Sequence, residues 1–221
     1  MLPFALLVSV IAVGAIFTGL IVLSIHLEQK RTEAMRAAAS QLGMQFSADA
    51  NPALSSKLQS FALFNRGHGR KMKNVMAAET EAVRLSLFDY QYTTSNGKNS
   101  HTHRFSLIAM EFASIQLPSF TLRPEGMLNA IGSVLGLQDI DFLDDPAFSR
   151  LFVLKGNHEP AIRDFFNVEL RRALTELPGS HVESSTSTLI FYRGGRKRPD
   201  QMKKYMEEGF KLFSAISNQA T

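Results

Sequence analysis

The feature that most constrains this chain is an uninterrupted apolar run at its N-terminus. Residues 2–25 read LPFALLVSVIAVGAIFTGLIVLSI and contain no ionisable side chain. A helix of about 20 apolar residues is long enough to span the hydrocarbon core of a bilayer. We therefore predict a transmembrane helix over residues 1–26, with residues 2–25 in contact with the lipid bilayer.

A cleaved signal peptide is the alternative interpretation of the same run. It would need a basic segment before the apolar stretch, a shorter apolar stretch and a small-residue cleavage site. The run follows Met1 without a Lys or Arg and continues into HLEQKRTEAMR. These features favour a permanent anchor.

The basic residues near the run predict its orientation. Lys30, Arg31 and Arg36 follow the apolar run, and no basic side chain precedes it. Flanks rich in Lys and Arg remain in the cytoplasm. We expect a single-pass protein of the cell membrane with its N-terminus outside and its C-terminal domain in the cytoplasm. The absence of cysteine agrees with a reducing compartment and excludes thiolate metal sites and cysteine nucleophiles.

Residues 27–43 are predicted to continue the helix beyond the membrane as a stalk. Met35, Ala38 and Leu42 recur at helical spacing, and Gly43 stands where a helix C-cap is expected. The stalk would lead directly into the domain formed by residues 44–221.

Residues 44–221 combine strand and helix patterns without an internal repeat. Alternating apolar residues predict an antiparallel hairpin from residues 83–92 and 104–112. Helical spacing predicts helices over 127–136, with Met127, Ile131 and Leu135 inward, over 160–177, with a break at Asn167, and over 199–217. The predicted buried face of the last helix comprises Met202, Tyr205, Met206, Phe210, Phe213 and Ile216. The predicted fold class is α+β: a transmembrane helix and helical stalk, then one domain with an antiparallel sheet and packed helices.

The stretch FDYQYTTSNGKNSHTHRF, residues 88–105, predicts a turn between two strands. Asn96 and Gly97 both tolerate the positive φ angles of a tight hairpin turn. Lys98 does not complete a phosphate-binding loop, because the longer glycine-rich loop and the following helix are missing. The alternating apolar pattern changes phase between Leu87 and Phe88, which predicts a β-bulge in this strand.

Two histidines in the same stretch raise the alternative of a metal site. His101 and His103 are two residues apart on a strand and therefore point to the same side, and Asp89 or His68 could complete a ligand set. A metal-assisted hydrolase using His101 and His103 is one alternative function. Solvent-exposed polar residues beside a turn are the favoured interpretation. Asp89 lies between aromatic residues and would need a partner if it were buried.

Charged clusters occur at two further places. LQDIDFLDDP contains four carboxylates, Asp139, Asp141, Asp144 and Asp145. The spacing of an EF-hand is missing, so we predict that Asp141 or Asp145 forms caps and turns.

The densest basic cluster comprises Arg193, Arg196, Lys197, Arg198, Lys203 and Lys204. A surface that binds anionic lipid or nucleic acid is the second alternative function, using residues 193–204. Anionic lipid could contact Arg193, Arg196, Lys197 and Arg198. The scarcity of interleaved aromatic residues disfavours nucleic acid, and a solvated loop is the simpler interpretation.

The apolar run, together with FDYQYTTSNGK, LPSFTLRPEG and DIDFLDDPAFSRLFVLKGN, resembles a group of uncharacterised bacterial single-pass membrane proteins of the domain-of-unknown-function kind. This resemblance implies no activity and transfers no site residue. We assign no catalytic, cofactor-binding or metal-binding residue from the sequence and expect no cofactor. The leading interpretation is a non-catalytic cytoplasmic interaction domain tethered to the membrane, with a protein partner.

Overall fold

The computed structural model describes residues 4–50, 52–126 and 139–218. The helix predicted over 127–136, with Met127, Ile131 and Leu135 inward, lies outside the described residues. The described helices are α1 (Phe4–Gln41), α2 (Pro52–Leu58), α3 (Pro146–Leu151), α4 (Glu159–Phe165), α5 (Val168–Thr175) and α6 (Met202–Ser217). Short 3₁₀ helices occupy Ala62–Asn65 and Pro199–Gln201. The strands are β1 (Gln45–Asp49), β2 (His68–Glu79), β3 (Val83–Asn96), β4 (Asn99–Phe112), β5 (Leu117–Pro124), β6 (Phe152–Gly156), β7 (Ser180–Thr186) and β8 (Thr188–Arg193).

Helix α1 is continuous from the apolar run into the domain and contains 38 residues. Within the described part of the chain, one helical segment, Ile11–Gln41, is long and apolar enough to cross a membrane. This finding supports a membrane location.

The C-terminal part of α1 packs against the domain. Met35 and Ala39 are fully buried. The helix ends in a Schellman motif, in which the Met44 amide donates to the Ala39 carbonyl at 2.9 Å and the Gly43 amide to the Ser40 carbonyl at 3.2 Å. Gly43 has φ of +67°, as this motif requires. The chain is therefore helical up to Gln41, as predicted, and Met35 and Ala39 of this helix pack into the domain.

The eight strands form one sheet in the order β1-β2-β3-β4-β8-β7-β5-β6. Every adjacent pair is antiparallel. The sheet and its packed helices confirm the predicted α+β class, and β3 and β4 form the predicted hairpin.

Both faces of the sheet are covered, so the central strands are buried on two sides. A large core lies between one face and helices α1 and α3–α6, and includes Met35, Leu87, Ile108, Phe166, Phe191 and Leu212. A small core lies between the other face, α2 and the first 3₁₀ helix, and includes Leu58, Phe64, Phe88, Tyr90, Tyr92, Leu107 and Tyr192. Leu87 and Phe88 thus belong to different cores because neighbouring side chains of a strand point to opposite faces.

The bulge predicted in β3 is found instead in the neighbouring strand β2. The pairing of β3 with β4 runs without interruption from Val83 to Asn96. The pairing of β2 with β3 shifts between Lys73 and Met76, so that two residues of β2 oppose Phe88. The apolar residues of β3 change sides between Leu87 and Phe88 because the face of the sheet that is better covered changes along the strand.

The hairpin turn between β3 and β4 is shifted by one residue from its prediction. Asn96 pairs with Asn99, so Gly97 and Lys98 are the two central residues. Gly97 has φ of +59°, whereas neither Asn96 nor Lys98 is among the residues with positive φ. This pattern is that of a type II′ turn, which places glycine first.

The C-terminal helices confirm one prediction and correct another. Helices α4 and α5 are separated at Asn167, whose side chain accepts a 2.9 Å hydrogen bond from the Leu170 amide. In α6 the face towards the sheet includes Met202, Tyr205 and Leu212, but Phe210 is 64% exposed and was wrongly assigned to it. Gly209 takes the inner position, where an added Cβ would lie 2.6 Å from the Ile108 side chain.

Candidate functional site

The carboxylate of Asp89, on the α1 side of the sheet, accepts four hydrogen bonds. Its side chain is 5% exposed. Arg31 of α1 binds it with two hydrogen bonds, from Nε to Oδ2 at 2.8 Å and from Nη2 to Oδ1 at 2.7 Å. Such a two-point contact fixes the orientation of both side chains. It attaches α1 directly to the centre of the sheet.

Two residues of neighbouring strands complete the polar environment of Asp89. Asn74 on β2 donates from Nδ2 to Oδ2 at 2.8 Å, and Ser106 on β4 donates to Oδ1 at 3.0 Å. Asn74 has φ of +54° and lies within the bulge of β2. Asparagine adopts this conformation more readily than most residues. The bulge therefore supplies a hydrogen-bond donor to the buried carboxylate.

The loop after β8 supplies a second arginine, Arg196, to this cluster of charges. Arg196 binds Glu28 of α1 through two hydrogen bonds of 2.6 and 2.5 Å and makes an ionic contact of 3.2 Å with Asp89. Arg31 also donates to the Lys197 carbonyl at 2.7 Å. Alternating charges thus hold helix α1, the sheet and this loop together. We call the set of Glu28, Arg31, Asn74, Asp89, Ser106 and Arg196 the junction network.

The junction network maintains the negative charge of Asp89. Burial, the largest single effect, would raise the pKa of this carboxyl, but the hydrogen bonds and positive charges of Arg31, with Arg196 and Asn74, together lower its pKa below the usual value. A carboxylate so strongly ionised is a poor proton donor near neutral pH. This arrangement is suited to holding elements in place rather than to acid–base catalysis.

A polar pocket of about 180 Å³ opens beside the junction network. Its lining includes Lys71 and Lys73 of β2, Arg104 of β4 and Ser24 of α1. None of these three cations takes part in an ion pair among the residues that the structure describes. We call Lys71, Lys73 and Arg104 the basic triad.

The histidine pair predicted as an alternative metal site lies on the outer part of β4. The rings of His101 and His103 are 4.5 Å apart, and His103 stacks on Tyr92 and lies 3.0 Å from the Thr94 hydroxyl. Burial lowers the pKa of His103. His68 instead contacts the Thr93 carbonyl. In the described ranges, no group of three or more His, Asp or Glu residues is placed to hold a metal ion.

Three of the four aspartates of residues 139–145, Asp139, Asp144 and Asp145, form side-chain contacts within the domain. Asp145 is the N-cap of α3, where it accepts a hydrogen bond from the Phe148 amide at 3.1 Å, so this predicted cap is confirmed. Asp144 and Asp145 both bind Arg171 of α5, and Asp139 accepts from the Leu154 amide.

The arginines of the basic cluster, for which a solvated loop was the favoured interpretation and contact with anionic lipid an alternative, bind carboxylates of the same chain. Arg193 binds Glu208, Arg196 binds Glu28 and Asp89, and Arg198 binds Asp200. Lys197 lies 5.4 Å from the ring centre of Tyr205. These contacts correct the interpretation of the loop as a simple solvated segment, because its arginines bind carboxylates of α1, β3, α6 and the loop itself.

Sequence reasoning identified Asp89 as a group in need of a partner but missed the partners themselves. Arg31 entered the sequence argument only as a topology signal, and Asn74 and Ser106 carried no signal at all. Lys71 and Lys73 are two residues apart on β2 and point to the same side, which could have indicated a basic face of this strand.

Comparisons with known proteins bear on the fold. No protein-family model matches the chain, and no curated protein matches it. Among solved structures, the crystal structure of the mycobacterial trehalose monomycolate transport factor A, TtfA, matches with a TM-score of 0.59 at 9% sequence identity. The match covers 84% of this chain and 93% of that chain. At this identity the likeness shows a shared fold alone, and membership of the bacterial group that the sequence resembles stays a prediction.

Proposed function

We propose that this chain is a single-pass membrane protein whose domain is a non-catalytic interaction module, held in one orientation on the cytoplasmic side of the bilayer. The division into a span over 1–26, a stalk over 27–43 and a domain over 44–221 is part of this proposal. Its role is to present a surface of the domain to a partner at a defined position relative to the membrane.

The observation that carries the proposal is the junction network. A flexible tether needs no buried contacts with its domain, yet Arg31 and Glu28 of α1 make two-point ion pairs with Asp89 and Arg196. Partly buried ion pairs contribute little net stability, because the cost of removing charges from water offsets their attraction. Their geometric demands do restrict how the elements can meet. We infer that the network sets the angle between the membrane helix and the domain.

The neighbour with the same fold is compatible with this role. That neighbour is a transport factor for trehalose monomycolate. We propose that the present chain assists a process at the membrane without catalysing a reaction, and we assign it no cargo.

Fractionation and labelling test the anchor and its orientation. The full chain should stay in the membrane fraction after alkaline carbonate treatment. A single cysteine placed at exposed Lys203, in a chain that otherwise has none, should react with a membrane-impermeant maleimide only after cells are permeabilised. Release by carbonate would rule out the anchor, and labelling of intact cells would place the domain outside.

Co-purification from membranes tests the interaction itself. The double variant Arg31→Gln, Asp89→Asn removes the ionic contacts of Asp89 with Arg31 and Arg196 without changing the net charge. Glu159→Gln, Arg163→Gln is the matched control, since it removes the exposed ion pair of α4. We expect the wild type and the control to retain the same stoichiometric partner, and the junction variant to lose it while still folded. Equal retention by all three would contradict a role for fixed orientation, and a wild type without a partner would contradict the interaction module.

A further inference from the structure

We propose that the basic triad binds the phosphate group of an anionic membrane lipid at the surface of the bilayer. This inference rests on the membrane-anchored part of the proposed function and adds a ligand class to it. It concerns residues other than the basic loop of residues 193–204.

The sheet register brings the basic triad together on one face. Lys71 of β2 pairs with Gln91 of β3, which pairs with Arg104 of β4, so these residues form a row across three strands. Lys73 is two residues from Lys71 and points to the same side, in the row of Asp89. That side is the one on which α1 lies, because Asp89 binds Arg31.

Contacts along α1 show which end of this face is nearest the membrane. Arg36 lies over the ring of Phe46. Phe46 pairs with Met76, which pairs with Leu87 of β3, so these three residues form one row of the sheet. Arg31 binds Asp89, two residues further along β3. Ser24 lines the pocket together with Gln91, a further two residues on.

Taken in this order, the contacting residues of α1 are Arg36, Arg31 and Ser24, and they approach the apolar run, to which Ser24 belongs. The row that contains Lys71, Gln91 and Arg104 therefore lies at the end of α1 where the helix leaves the bilayer. In a single-pass protein, this end of the sheet is the one that faces the lipid head groups.

The charges of the pocket favour an anion. Its two carboxylates, Glu28 and Asp89, are bound by Arg196 and Arg31. The basic triad then remains as an excess of positive charge, and all three of its side chains are exposed. Cations that close to an anionic surface attract its lipids, and a pocket of about 180 Å³ has room for a phosphate group.

An acidic peptide or a soluble phosphate would satisfy the same charges, but neither explains the position of the triad. A head group on the bilayer surface that this end of the sheet faces is held there by its own acyl chains. Its effective concentration is therefore far higher than that of a dissolved ion. We commit the proposal to a lipid for this reason.

Native mass spectrometry of the full chain tests the proposal. The protein is released from mixed micelles that contain equal amounts of phosphatidylglycerol and phosphatidylcholine, and the retained lipids are counted. We expect the wild type to retain phosphatidylglycerol preferentially. In the variant Lys71→Gln, Lys73→Gln, Arg104→Gln this preference should fall by at least about tenfold, since each nearby cation strengthens binding to anionic lipid several-fold.

A matched variant separates a site from general charge. Arg150→Gln, Arg172→Gln, Lys211→Gln also removes three exposed positive charges, on α3, α5 and α6, and should retain the wild-type preference. An equal fall in both variants, or no preference in the wild type, would overturn the proposal. Circular dichroism of each variant checks that it remains folded.

Competition with inorganic phosphate distinguishes the two sources of the anion. A lipid site should keep its phosphatidylglycerol when millimolar phosphate is added, whereas full displacement would identify a site for a soluble anion and refute the lipid assignment.

The lipid count does not depend on a protein partner or on orientation. Its failure is therefore distinguishable from failure of the proposed function, which carbonate extraction, labelling and co-purification measure.

Discussion

At the scale of single residues, Asp89 illustrates how one buried carboxylate can connect distant parts of a chain. It accepts hydrogen bonds from Arg31, Asn74 and Ser106, which belong to α1, β2 and β4. Each donor satisfies part of a charge that would otherwise be costly to bury. The carboxylate is thus held by three separate elements, and its removal should affect all of them.

We expect Asp89→Ala to lower the free energy of unfolding by on the order of 3 kcal/mol, because it leaves Arg31 partly buried without its counter-charge. Urea denaturation of the full chain in detergent measures this value. The exposed Asp164 supplies the control, since Asp164→Ala should change stability by less than about 0.5 kcal/mol. Similar values for the two variants would show that loss of the counter-charge of Arg31 does not destabilise the fold.

His181 on β7 should make stability depend on pH. Burial, assisted by the charges of Arg66 and Arg123, lowers the pKa of His181 from 6.5 to about 4. Between these two values the unfolded chain binds a proton that the folded chain does not. Stability therefore falls as the pH falls from 6.5 towards 4, by up to about 1.4 kcal/mol per pH unit.

The variant His181→Phe tests this pH dependence. The phenylalanine ring retains an aromatic stack on Tyr192, where the His181 ring lies 4.5 Å away, but it cannot bind a proton. Unfolding measured at pH 7 and pH 5 should show a smaller loss of stability in the variant than in the wild type. Parallel pH curves would indicate that His181 is already protonated in the folded protein or does not titrate in this range.

At the scale of elements, the β2–β3–β4 meander shows that local patterns predict strands better than they predict the positions of turns and bulges. The predicted hairpin is present, yet its turn is centred on Gly97 and Lys98 rather than on Asn96 and Gly97. The bulge lies on β2 rather than on β3. Both differences concern which residue of one strand faces which residue of its neighbour.

Alanine substitutions distinguish the two positions of the turn. Gly97→Ala should cost about 1 kcal/mol, because an L-residue with a side chain is strained at φ of +59°. Asn96→Ala should change stability by less than about 0.5 kcal/mol, since Asn96 ends a strand and does not adopt positive φ. Chemical denaturation of both variants decides between them. A loss at Asn96 equal to that at Gly97 would support the turn predicted from the sequence.

At the scale of the whole molecule, the main feature is the continuity of α1 from the apolar run into the large core. The same helix carries the candidate membrane segment, the arginine that binds Asp89 and the buried Met35. A rotation of α1 about its axis would break contacts at several levels of the domain. We therefore expect the membrane helix and the domain to move as one body.

Distance measurements between two spin labels test this expectation. Cysteines placed at exposed Glu33 on α1 and exposed Glu169 on α5 would be the only cysteines in the chain. Pulsed electron paramagnetic resonance in lipid nanodiscs should give one narrow distance distribution. Arg31→Gln, Asp89→Asn should broaden it, whereas Glu159→Gln, Arg163→Gln should not. A broad distribution in the wild type would mean that α1 is a flexible tether.

The sequence by itself determined the long apolar helix, the β3–β4 hairpin, the C-terminal helices, the α+β class and the break at Asn167. Each of these depends on the local periodicity of apolar side chains or on a local cap, and local periodicity is written directly in the order of residues. The candidate site could be predicted only in part. Asp89 stood out because it lies between two aromatic residues, whereas nothing near Lys71 or Arg104 in the sequence indicated that they share a pocket.

Only the tertiary structure decided which charges meet. Arg31 and Asp89 are 58 positions apart, and Glu28 and Arg196 are 168 apart. Contacts at such separations depend on strand order, register and the angle at which α1 crosses the sheet, and many arrangements would satisfy the same local patterns. Turn register and bulge position are decided in the same way, because they depend on how two strands pair and on what covers each face.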